Sequence, residues 1–387
     1  MIKVPFTCTG CSACMNICPQ NCIVMKKHQD GFSYPQIDSS RCIACNQCES
    51  VCPILNNPKS SNETAAFAIK NKNTKERVRS TSGGVFPLLA EYVIERNGIV
   101  FGAAYTSDFS VQHIVITEME EIVLLQGAKY TQSTIGFCYS EIRSQLNTGR
   151  LVLFSGTPCQ CNGLKAYLKR DYDNLIVVDI ICHGVPSPKV WQSYIEYRIK
   201  KENSGKKPIA INMRSKTSGW SRYSYSTVFK YENKKVSSIP NNRDLFMKAF
   251  IGNICLRNSC SECSAKGVNR CTDFTLGDYW GIWDQNPQFD DNKGTSVVFT
   301  HTEKAQYILK QLVNKFVYLK VNIEDAYKEN PSLTVSSKPH EKRDEFLEQI
   351  TPDNFEELVL KCFPSNDVNK AGIIQRIKEK LKKIIML

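Results

Sequence analysis

The chain has 387 residues, of which 42% are hydrophobic and 23% charged, and its formal net charge is +12. This length predicts two or three domains, and the composition is ordinary for a globular protein. The positive charge is spread thinly, so we expect no nucleic-acid binding. No apolar run approaches the roughly 18 residues that span a bilayer, and MIKVPFTCTG lacks the features of a signal peptide. We therefore expect a cytoplasmic protein.

Eighteen cysteines are the most unusual feature of the composition. In a reducing compartment, dense cysteines more often bind metal than form disulfides. CTGCSACMNICP has the spacing C-x2-C-x2-C-x3-C-P, and CIACNQCESVCP repeats it 34 residues later. Zinc sites use pairs of ligands separated by longer spacers. The repeat therefore favours iron–sulphur clusters over zinc.

The spacing also predicts which cysteines share a cluster. Two-residue spacers let one loop present three thiolates to a cubane, and in two-cluster ferredoxins the fourth cysteine ligates the other cluster. One 4Fe–4S cluster is thus expected on Cys8, Cys11, Cys14 and Cys52, and a second on Cys18, Cys42, Cys45 and Cys48. Cys22 lies outside the pattern and is interpreted as a small buried residue.

Residues 1–58 as a whole resemble a bacterial-type two-cluster ferredoxin domain of the α+β class. Between the two cysteine runs, IVMKKHQDGFSYPQID alternates around an Asp-Gly turn and predicts a β-hairpin. The polar residues 56–64 predict a linker to the rest of the chain.

From residue 65, short β-branched runs alternate with segments of helical spacing, which predicts an α/β domain over residues 65–350. The predicted strands are AAFAIK, IVFGAAY, HIVIT, LVLF and LIVVDI, and the predicted helices are VFPLLAEYVIERNG, SEIRSQLNTG, GLKAYLKRDY and PKVWQSYIEYRIKK. Residues 223–236 are expected to add an antiparallel ribbon. Polar, Gly-rich turns lie at residues 80–85, 154–164 and 179–188. Because ligands bind beyond the carboxyl ends of strands in open α/β sheets, we expect these turns to meet at one crevice.

Five blocks occur in a distinctive order between residues 65 and 285. They are SGGVFPLLAEYVIERNGIVFGAAY, GAKYTQSTIG, VLFSGTPCQCNGLKAYL, VDIICHGVPSPKVWQSY and CSECSAKGVNRCTDFTLGDYWG. Together they resemble the coenzyme F-420 hydrogenase/dehydrogenase beta-subunit family, many bacterial members of which carry a fused ferredoxin domain. The resemblance implies an oxidoreductase that holds FAD and a third 4Fe–4S cluster and exchanges electrons with the 5-deazaflavin coenzyme F-420 or another small substrate. It also implies a redox partner protein or a small electron carrier.

The resemblance further implies residues for the flavin. The residues that match the blocks expected around it are Ser82, Gly83, Gly84, Lys129, Tyr130, Ser133, Thr157 and Gln160. Gly-rich N–H groups and one cation suit a diphosphate, and Lys129 can supply that cation. The candidate catalytic residues are His183 and Lys129. His183 could donate a proton to reduced flavin, but we favour a hydrogen bond to the flavin.

The third cluster is expected to draw its ligands from cysteines in the body of the chain. The candidate set is Cys159, Cys182, Cys255, Cys260, Cys263 and Cys271. The prediction is Cys182, Cys255, Cys260 and Cys263, with Cys159 as the competing ligand. Zinc on such thiols is the alternative. Asp278 and Trp280 match a family block, and could line the crevice or pack in the core.

The C-terminal part carries less chemical information. Residues 303–362 are predicted to be helical, and residues 351–387 to form a basic helical tail. In AGIIQRIKEKLKKIIML the apolar residues share one helical face and the basic residues the other. Such a helix suits an anionic membrane surface or a partner, or packs on its own domain. A rival function for the whole chain is an electron-transfer subunit that has no substrate of its own and serves a partner enzyme.

Overall fold

The computed structural model describes residues 3–60, 63–202 and 205–364. Its N-terminal part contains two short helices around a two-stranded antiparallel hairpin. These elements are α1 (Ala13–Ile17), β1 (Ile23–Lys27), β2 (Ser33–Ile37) and α2 (Gln47–Ser50). The hairpin turns at Asp30 and Gly31, where Gly31 has a φ of +83° that favours glycine. The predicted hairpin is therefore present.

The body of the chain is built on one large mixed sheet and one small antiparallel sheet. Its strands are β3 (Ala65–Asn71), β4 (Ile99–Tyr105), β5 (Val111–Ile116), β6 (Val152–Gly156), β7 (Leu175–Ile180), β8 (Pro208–Ser215), β9 (Ser226–Tyr231), β10 (Val236–Pro240), β11 (Phe274–Asp278), β12 (Ser296–Thr300) and β13 (Phe316–Val321). The large sheet has the order β13-β3-β12-β11-β7-β6-β4-β5. Neighbours from β11 to β4 are parallel, and the outer pairs are antiparallel.

Helices connect and cover these strands. They are α3 (Thr74–Arg79), α4 (Val85–Ile94), α5 (Ile122–Leu125), α6 (Cys138–Asn147), α7 (Pro158–Leu168), α8 (Pro188–Glu202), α9 (Leu245–Ile251), α10 (Ile282–Gln285), α11 (Glu303–Leu312), α12 (Ile323–Tyr327), α13 (Arg343–Gln349) and α14 (Phe355–Cys362). Of these, α4 and α11 share one apolar core with the sheet, whereas α6 and α7 share another. Helical cover on both faces explains why the central strands are almost wholly apolar.

Apart from the apolar residues that cover the two faces of the large sheet, the body has a separate core that joins the small sheet to the C-terminal helices, which we call the second core. Trp191 and Tyr194 of α8 pack there with Phe246 of α9, Phe229 of β9 and Phe355 of α14. The first described residues of the predicted C-terminal tail are thus packed on the body. The amphipathic segment at residues 371–387 lies outside the described residues.

Two sequence predictions about this region are corrected. The sequence predicts helices throughout residues 303–362, but residues 316–321 form β13 at the edge of the large sheet, paired with β3. The alternation in FVYLKV fits an edge strand, and β3 offers it a partner. The expected ribbon is part of a three-stranded sheet, because β8 pairs with β9 as well. No helix in the described part of the chain is long and apolar enough to cross a membrane.

The N-terminal domain is fastened to the body by specific bonds. The Asn16 side chain donates to the Gly136 carbonyl at 2.8 Å and accepts from the Ser140 amide at 3.1 Å. At the hairpin tip, Ser187 Oγ donates to the Asp30 carbonyl at 2.6 Å. Each bond of this kind contributes about 1 kcal/mol net. The orientation of the domain is therefore fixed at separate points.

Candidate metal centres and cofactor site

Two cavities in the N-terminal domain are lined by cysteines from both copies of the repeat. The first is lined by Cys8, Cys11, Cys14 and Cys52, and the second by Cys18, Cys42, Cys45 and Cys48. We call these the first and second N-terminal sets. Each of the two repeat helices begins after a left-handed residue, Ser12 (φ 65°) and Asn46 (φ 56°), which turns the loop tightly around its cavity. The arrangement fits the crossed ligation predicted for a pair of cubanes.

Cys22 also lines the second cavity, where its Sγ lies 3.3 Å from Cys18 Sγ. It is buried, in agreement with its interpretation as a small core residue. Its thiol nevertheless faces the predicted ligands rather than the apolar core alone.

The body of the chain brings four further thiols together at the carboxyl edge of the large sheet. Cys159 follows β6 at the start of α7, Cys182 follows β7, and the remaining two come from the loop before β11. Burial raises the pKa of Cys159 well above its usual value, and the thiols of Cys263, Cys182 and Cys260 raise it further. We call Cys159, Cys182, Cys260 and Cys263 the body set.

Cys255 lies apart from this set, contrary to the predicted ligand group. It is fully buried in the second core, and burial raises the pKa of its thiol beyond the normal range. The nearby charge of Arg343 opposes this rise in the pKa of Cys255, and Cys260 is the one thiol of the body set that adds to it. Its carbonyl accepts from the Ser187 amide at 2.8 Å, which ties its backbone to the loop after β7. The structure therefore groups Cys159, rather than Cys255, with the other three cysteines.

Within the described residues, no three His, Cys, Asp or Glu side chains are close enough to share a single metal ion. A structural zinc site draws its ligands to about 2.3 Å from one point. A cubane differs, because each of its cysteines binds a separate iron.

Donors and one cation surround the body set. The Val185 amide donates to Cys260 Sγ at 3.4 Å, which is a contact that stabilises a thiolate. Lys266 Nζ donates to the carbonyls of Cys182 and Ser332, at 2.6 Å each. Burial lowers the pKa of Lys266, and the nearby thiols of Cys182 and Cys263 oppose that shift. The surroundings thus favour negative charge on sulphur.

His183 follows Cys182 directly and is already engaged by protein groups. Its Nε2 donates to Asn253 Oδ1 at 2.7 Å, which leaves Nδ1 facing Ser332 Oγ at 3.5 Å. Burial lowers its pKa. The ring packs edge-on against Phe250 with 5.2 Å between centroids, and Phe250 packs on Tyr130 at 4.9 Å. A continuous row of rings therefore leads from the body set to Tyr130.

The Ser82–Gly84 turn gives most of its hydrogen bonds to the sheet. Ser82 Oγ donates to the Thr295 carbonyl at 2.8 Å, and the Gly83 amide donates to Ser296 Oγ at 2.9 Å. A Cβ on Gly83 would clash with the Ile69 carbonyl oxygen. Gly84 begins α4 with a φ of 79°. The glycines are explained by close packing and by this turn.

Thr157, Gln160 and Ser133 likewise bond within the protein. Thr157 and Gln160 form a reciprocal capping box at the start of α7. Gln160 Nε2 also donates to the Ser133 carbonyl at 3.1 Å. Ser133 Oγ lies 2.7 Å from Nδ1 of the half-buried His113, whose Nε2 donates to the Ser155 carbonyl at 3.0 Å. These residues hold the edge of the sheet in place.

Lys129 is partly buried and lacks a carboxylate partner among its described contacts. Its ammonium donates to the carbonyls of Leu125, Gln126 and Gly127, at 2.9–3.3 Å. It also lies 5.6 Å from the centre of the Tyr105 ring. Burial lowers its pKa to about 7.

The lowered pKa of Lys129 predicts a specific pH dependence of stability. An unfolded lysine titrates at about 10.4, so the unfolded chain binds more protons between pH 7 and pH 10, and stability rises with pH in that window. Lys129→Met should remove this rise and stabilise the protein at pH 7. Thermal unfolding of both proteins from pH 7 to pH 9 measures it, with the exposed Lys310→Met as control. Parallel curves for wild type and Lys129→Met would contradict it.

Arg214 is a residue that the sequence patterns did not indicate. It lies on β8, and 7% of its surface is exposed. Its Nη1 donates to Tyr130 Oη at 3.2 Å, and its Nη2 lies 3.2 Å from Asp278 Oδ2. Nε has no hydrogen-bond partner among the described residues, and neither has the nearby Tyr105 hydroxyl. Lys129 lies 5.6 Å from the ring of Tyr105, so a second cation approaches this region, which suits an anionic ligand.

Asp278 and Trp280 belong to the same region. Trp220 Nε1 donates to the second oxygen of Asp278 at 3.1 Å, and Trp220 packs on Trp280 at 4.9 Å. Trp280 also lies 5.2 Å from the Arg214 guanidinium. Asp278 therefore takes part in the ion pair with Arg214, whereas Trp280 packs beside that pair.

Two family models match the chain. Residues 149–326 match the C terminus of the beta subunit of coenzyme F-420 hydrogenase/dehydrogenase, and residues 7–55 match the 4Fe-4S dicluster domain. The chain thus matches a region of the F-420 hydrogenase/dehydrogenase beta-subunit family and, separately, a dicluster ferredoxin domain, and the family resemblance of its sequence blocks is confirmed. It is an iron–sulphur protein related to that subunit.

Individual relatives are similar over different parts of the chain. NADH-quinone oxidoreductase subunit I 2 of Symbiobacterium thermophilum is 39% identical over 54 residues, which cover 12% of this chain and 22% of that protein. The chain thus spans about a fifth of the length of this curated relative. A chain from the F-420-reducing NiFe hydrogenase complex of Methanosarcina barkeri has a TM-score of 0.46 at 17% identity, covering 79% of this chain and 90% of that one.

Proposed function

We propose that the chain is an iron–sulphur flavoprotein oxidoreductase with three 4Fe–4S clusters and one FAD. Electrons pass between the clusters and the flavin, and from the flavin to a hydride-accepting coenzyme such as a deazaflavin, or to another small substrate. The observation that carries the proposal is the body set, in which four partly buried thiols from three separate segments meet at the carboxyl edge of the sheet. Nothing in an ordinary core requires four thiols at one place.

The body set suits a cluster because its surroundings offset thiolate charge. Lys266 supplies a cation, and the Val185 amide donates to Cys260. In such sites the charge and the hydrogen bonds to sulphur set the reduction potential. We therefore assign Cys159, Cys182, Cys260 and Cys263 as the ligands of the third cluster.

The flavin is proposed to bind beside Arg214, with its anionic group facing Arg214 and Lys129. Tyr130 lies next to Arg214 and is connected to His183 through Phe250, so the proposed flavin position adjoins the body set. When bound, the flavin supplies the exchange between one-electron carriers and a two-electron hydride partner. The other residues predicted for the flavin form hydrogen bonds within the protein, and we propose that they stabilise the carboxyl edge of the large sheet. They are Ser82, Gly83, Gly84, Ser133, Thr157 and Gln160.

The roles proposed for His183 and Lys129 follow from their contacts. The bond from Nε2 to Asn253 fixes the tautomer of His183 and makes Nδ1 an acceptor, with Ser332 Oγ 3.5 Å away. His183 is therefore proposed as a positioning residue between the cluster and the flavin. Lys129 is close to half-protonated at neutral pH, so an anionic ligand would draw it into its charged form.

Cofactor analysis of anaerobically purified protein tests the proposed function. We expect about twelve irons per chain, four per cubane, together with one flavin. About twelve irons without flavin would favour a subunit that delivers electrons to a partner enzyme. About eight irons, or stoichiometric zinc in the body set, would contradict the third cluster.

A further inference from the structure

We infer an order for the three clusters: the first N-terminal set lies next to the body set, and the second N-terminal set is the outer terminus. This inference rests on the proposed function, since it requires a cluster on the body set. One electron at a time then passes between the outer and the first N-terminal cluster, and from there to the body cluster. No atom is transferred, and an external one-electron carrier supplies or removes the electron at the outer cluster.

The first copy of the repeat is the one that faces the body. Its loop carbonyl at Thr9 accepts from Gln132 Nε2 at 2.9 Å, and Asn16 on its helix bonds to both Gly136 and Ser140. Cys11 and Ala13 are part of a core shared with α6 and α7. The second copy is more open to solvent, since Cys45 is exposed and 60% of Ile43 is exposed.

Helix α7 contacts ligands of both clusters along one face. Cys159 of the body set lies in its first turn, and Gly163 lies four residues later on the same side, about 6 Å along the axis. A Cβ on Gly163 would stand 2.8 Å from Cys11 Cβ and 3.0 Å from Cys11 Sγ. Cys11 thus packs directly on the helix that begins with Cys159, and only glycine permits that approach.

Tyr139 fills the space beside this contact. It is fully buried, its hydroxyl donates to the Gln160 carbonyl at 2.7 Å, and a Cβ on Gly163 would lie 3.0 Å from that hydroxyl. Tyr139 therefore bonds to α7 at the residue after Cys159 and lies beside the contact between Gly163 and Cys11.

Arg257 joins the same two clusters through a second route. Its Nε donates to the Cys8 carbonyl at 2.7 Å, and its own carbonyl accepts from the Cys260 amide at 3.0 Å. The guanidinium also donates to Gln132 and to the Ser33 carbonyl, so it is held rigidly. One buried residue is thus hydrogen-bonded to a ligand residue of each set.

Magnetic coupling between reduced clusters tests this order. The full-length protein is reduced stepwise with dithionite under anaerobic conditions, and the EPR splitting between paramagnetic clusters, which falls steeply with distance, is recorded. Cys45→Ala removes the outer cluster, and we expect it to leave the splitting between the first N-terminal and body clusters unchanged. Cys263→Ser removes the body cluster, and only the coupling of the two N-terminal clusters should persist.

Gly163→Ala provides a second measurement, because its methyl group must push the Cys11 loop away from α7. We expect it to weaken the splitting between the first N-terminal and body clusters, while Lys165→Ala, at the surface of the same helix, leaves it intact. Loss of the body-cluster splitting in Cys45→Ala would overturn the order but leave three clusters. Unchanged iron content and spectra in Cys263→Ser would overturn the body cluster itself. If Gly163→Ala does not fold, the comparison of Cys45→Ala with Cys263→Ser still decides.

Discussion

Replacing Cys159 with serine is expected to lower the iron content from about twelve to about eight per chain, because a cubane rarely survives the loss of a thiolate ligand. The EPR signal of the body cluster should disappear, while both N-terminal clusters remain. Cys159 has the thiols of Cys263, Cys182 and Cys260 as neighbours, so the whole body set depends on it.

Cys255→Ser is the matched control, since it makes the same atomic change at a buried cysteine close to Cys260. We expect about twelve irons to be retained, with some loss of thermal stability because a hydroxyl replaces a thiol in the second core. Loss of the body cluster in Cys255→Ser, with retention in Cys159→Ser, would restore the ligand set predicted from sequence. Iron analysis and EPR on the two purified variants decide between them.

Replacing Arg214 is expected to weaken flavin binding by about 10- to 100-fold. A hydrogen bond to a charged group contributes about 1.5–3 kcal/mol, and each 1.4 kcal/mol corresponds to a factor of ten in affinity. Arg214→Gln alone leaves the carboxylate of Asp278 without its ion-pair partner. The double variant Arg214→Gln/Asp278→Asn removes both charges, so it separates the loss of a cation from a simple structural defect.

Flavin titration into reconstituted protein, followed by fluorescence quenching, measures this effect. Arg222→Gln is the control, because Arg222 follows Arg214 on the same part of the chain but pairs with Glu329 nearer the surface. Iron content should be equal in all three variants, which shows that the fold is retained. Equal flavin affinity in the double variant and the control would rule out Arg214 as a ligand.

The grouping of the N-terminal cysteines around two cavities could be predicted from sequence because all the information is local. Two-residue spacers limit how a loop can place its thiolates, and the 34-residue repeat supplies the partner loop. The cavities observed around Cys52 and Cys18 follow the crossed pattern. The central strands were also predictable, since both faces of the sheet are covered and the runs are continuously apolar.

The body set was predicted only in part, because its members come from segments that only the fold brings together. Cys255 is near Cys260 in sequence, but its side chain packs in the second core, and Cys260 is the one thiol of the body set that contributes to its pKa shift. Cys159 joins through the parallel pairing of β6 with β7, which brings the ends of both strands to one edge. Arg214 belongs to no sequence motif. Its proposed role depends on contacts with Tyr130, which lies 84 positions earlier in the chain, and with Asp278, which lies 64 positions later.

The fastening of the N-terminal domain has a consequence for how the molecule delivers electrons. Asn16, Ser187 and Arg257 bind this domain to the body at separate points, on its first helix, its hairpin tip and its first cysteine loop. A domain bound in this way keeps one position relative to the body, so electron transfer between the two does not require the domain to move. Internal electron transfer should then be insensitive to solvent viscosity, and encounter with the outside carrier is the step that diffusion controls.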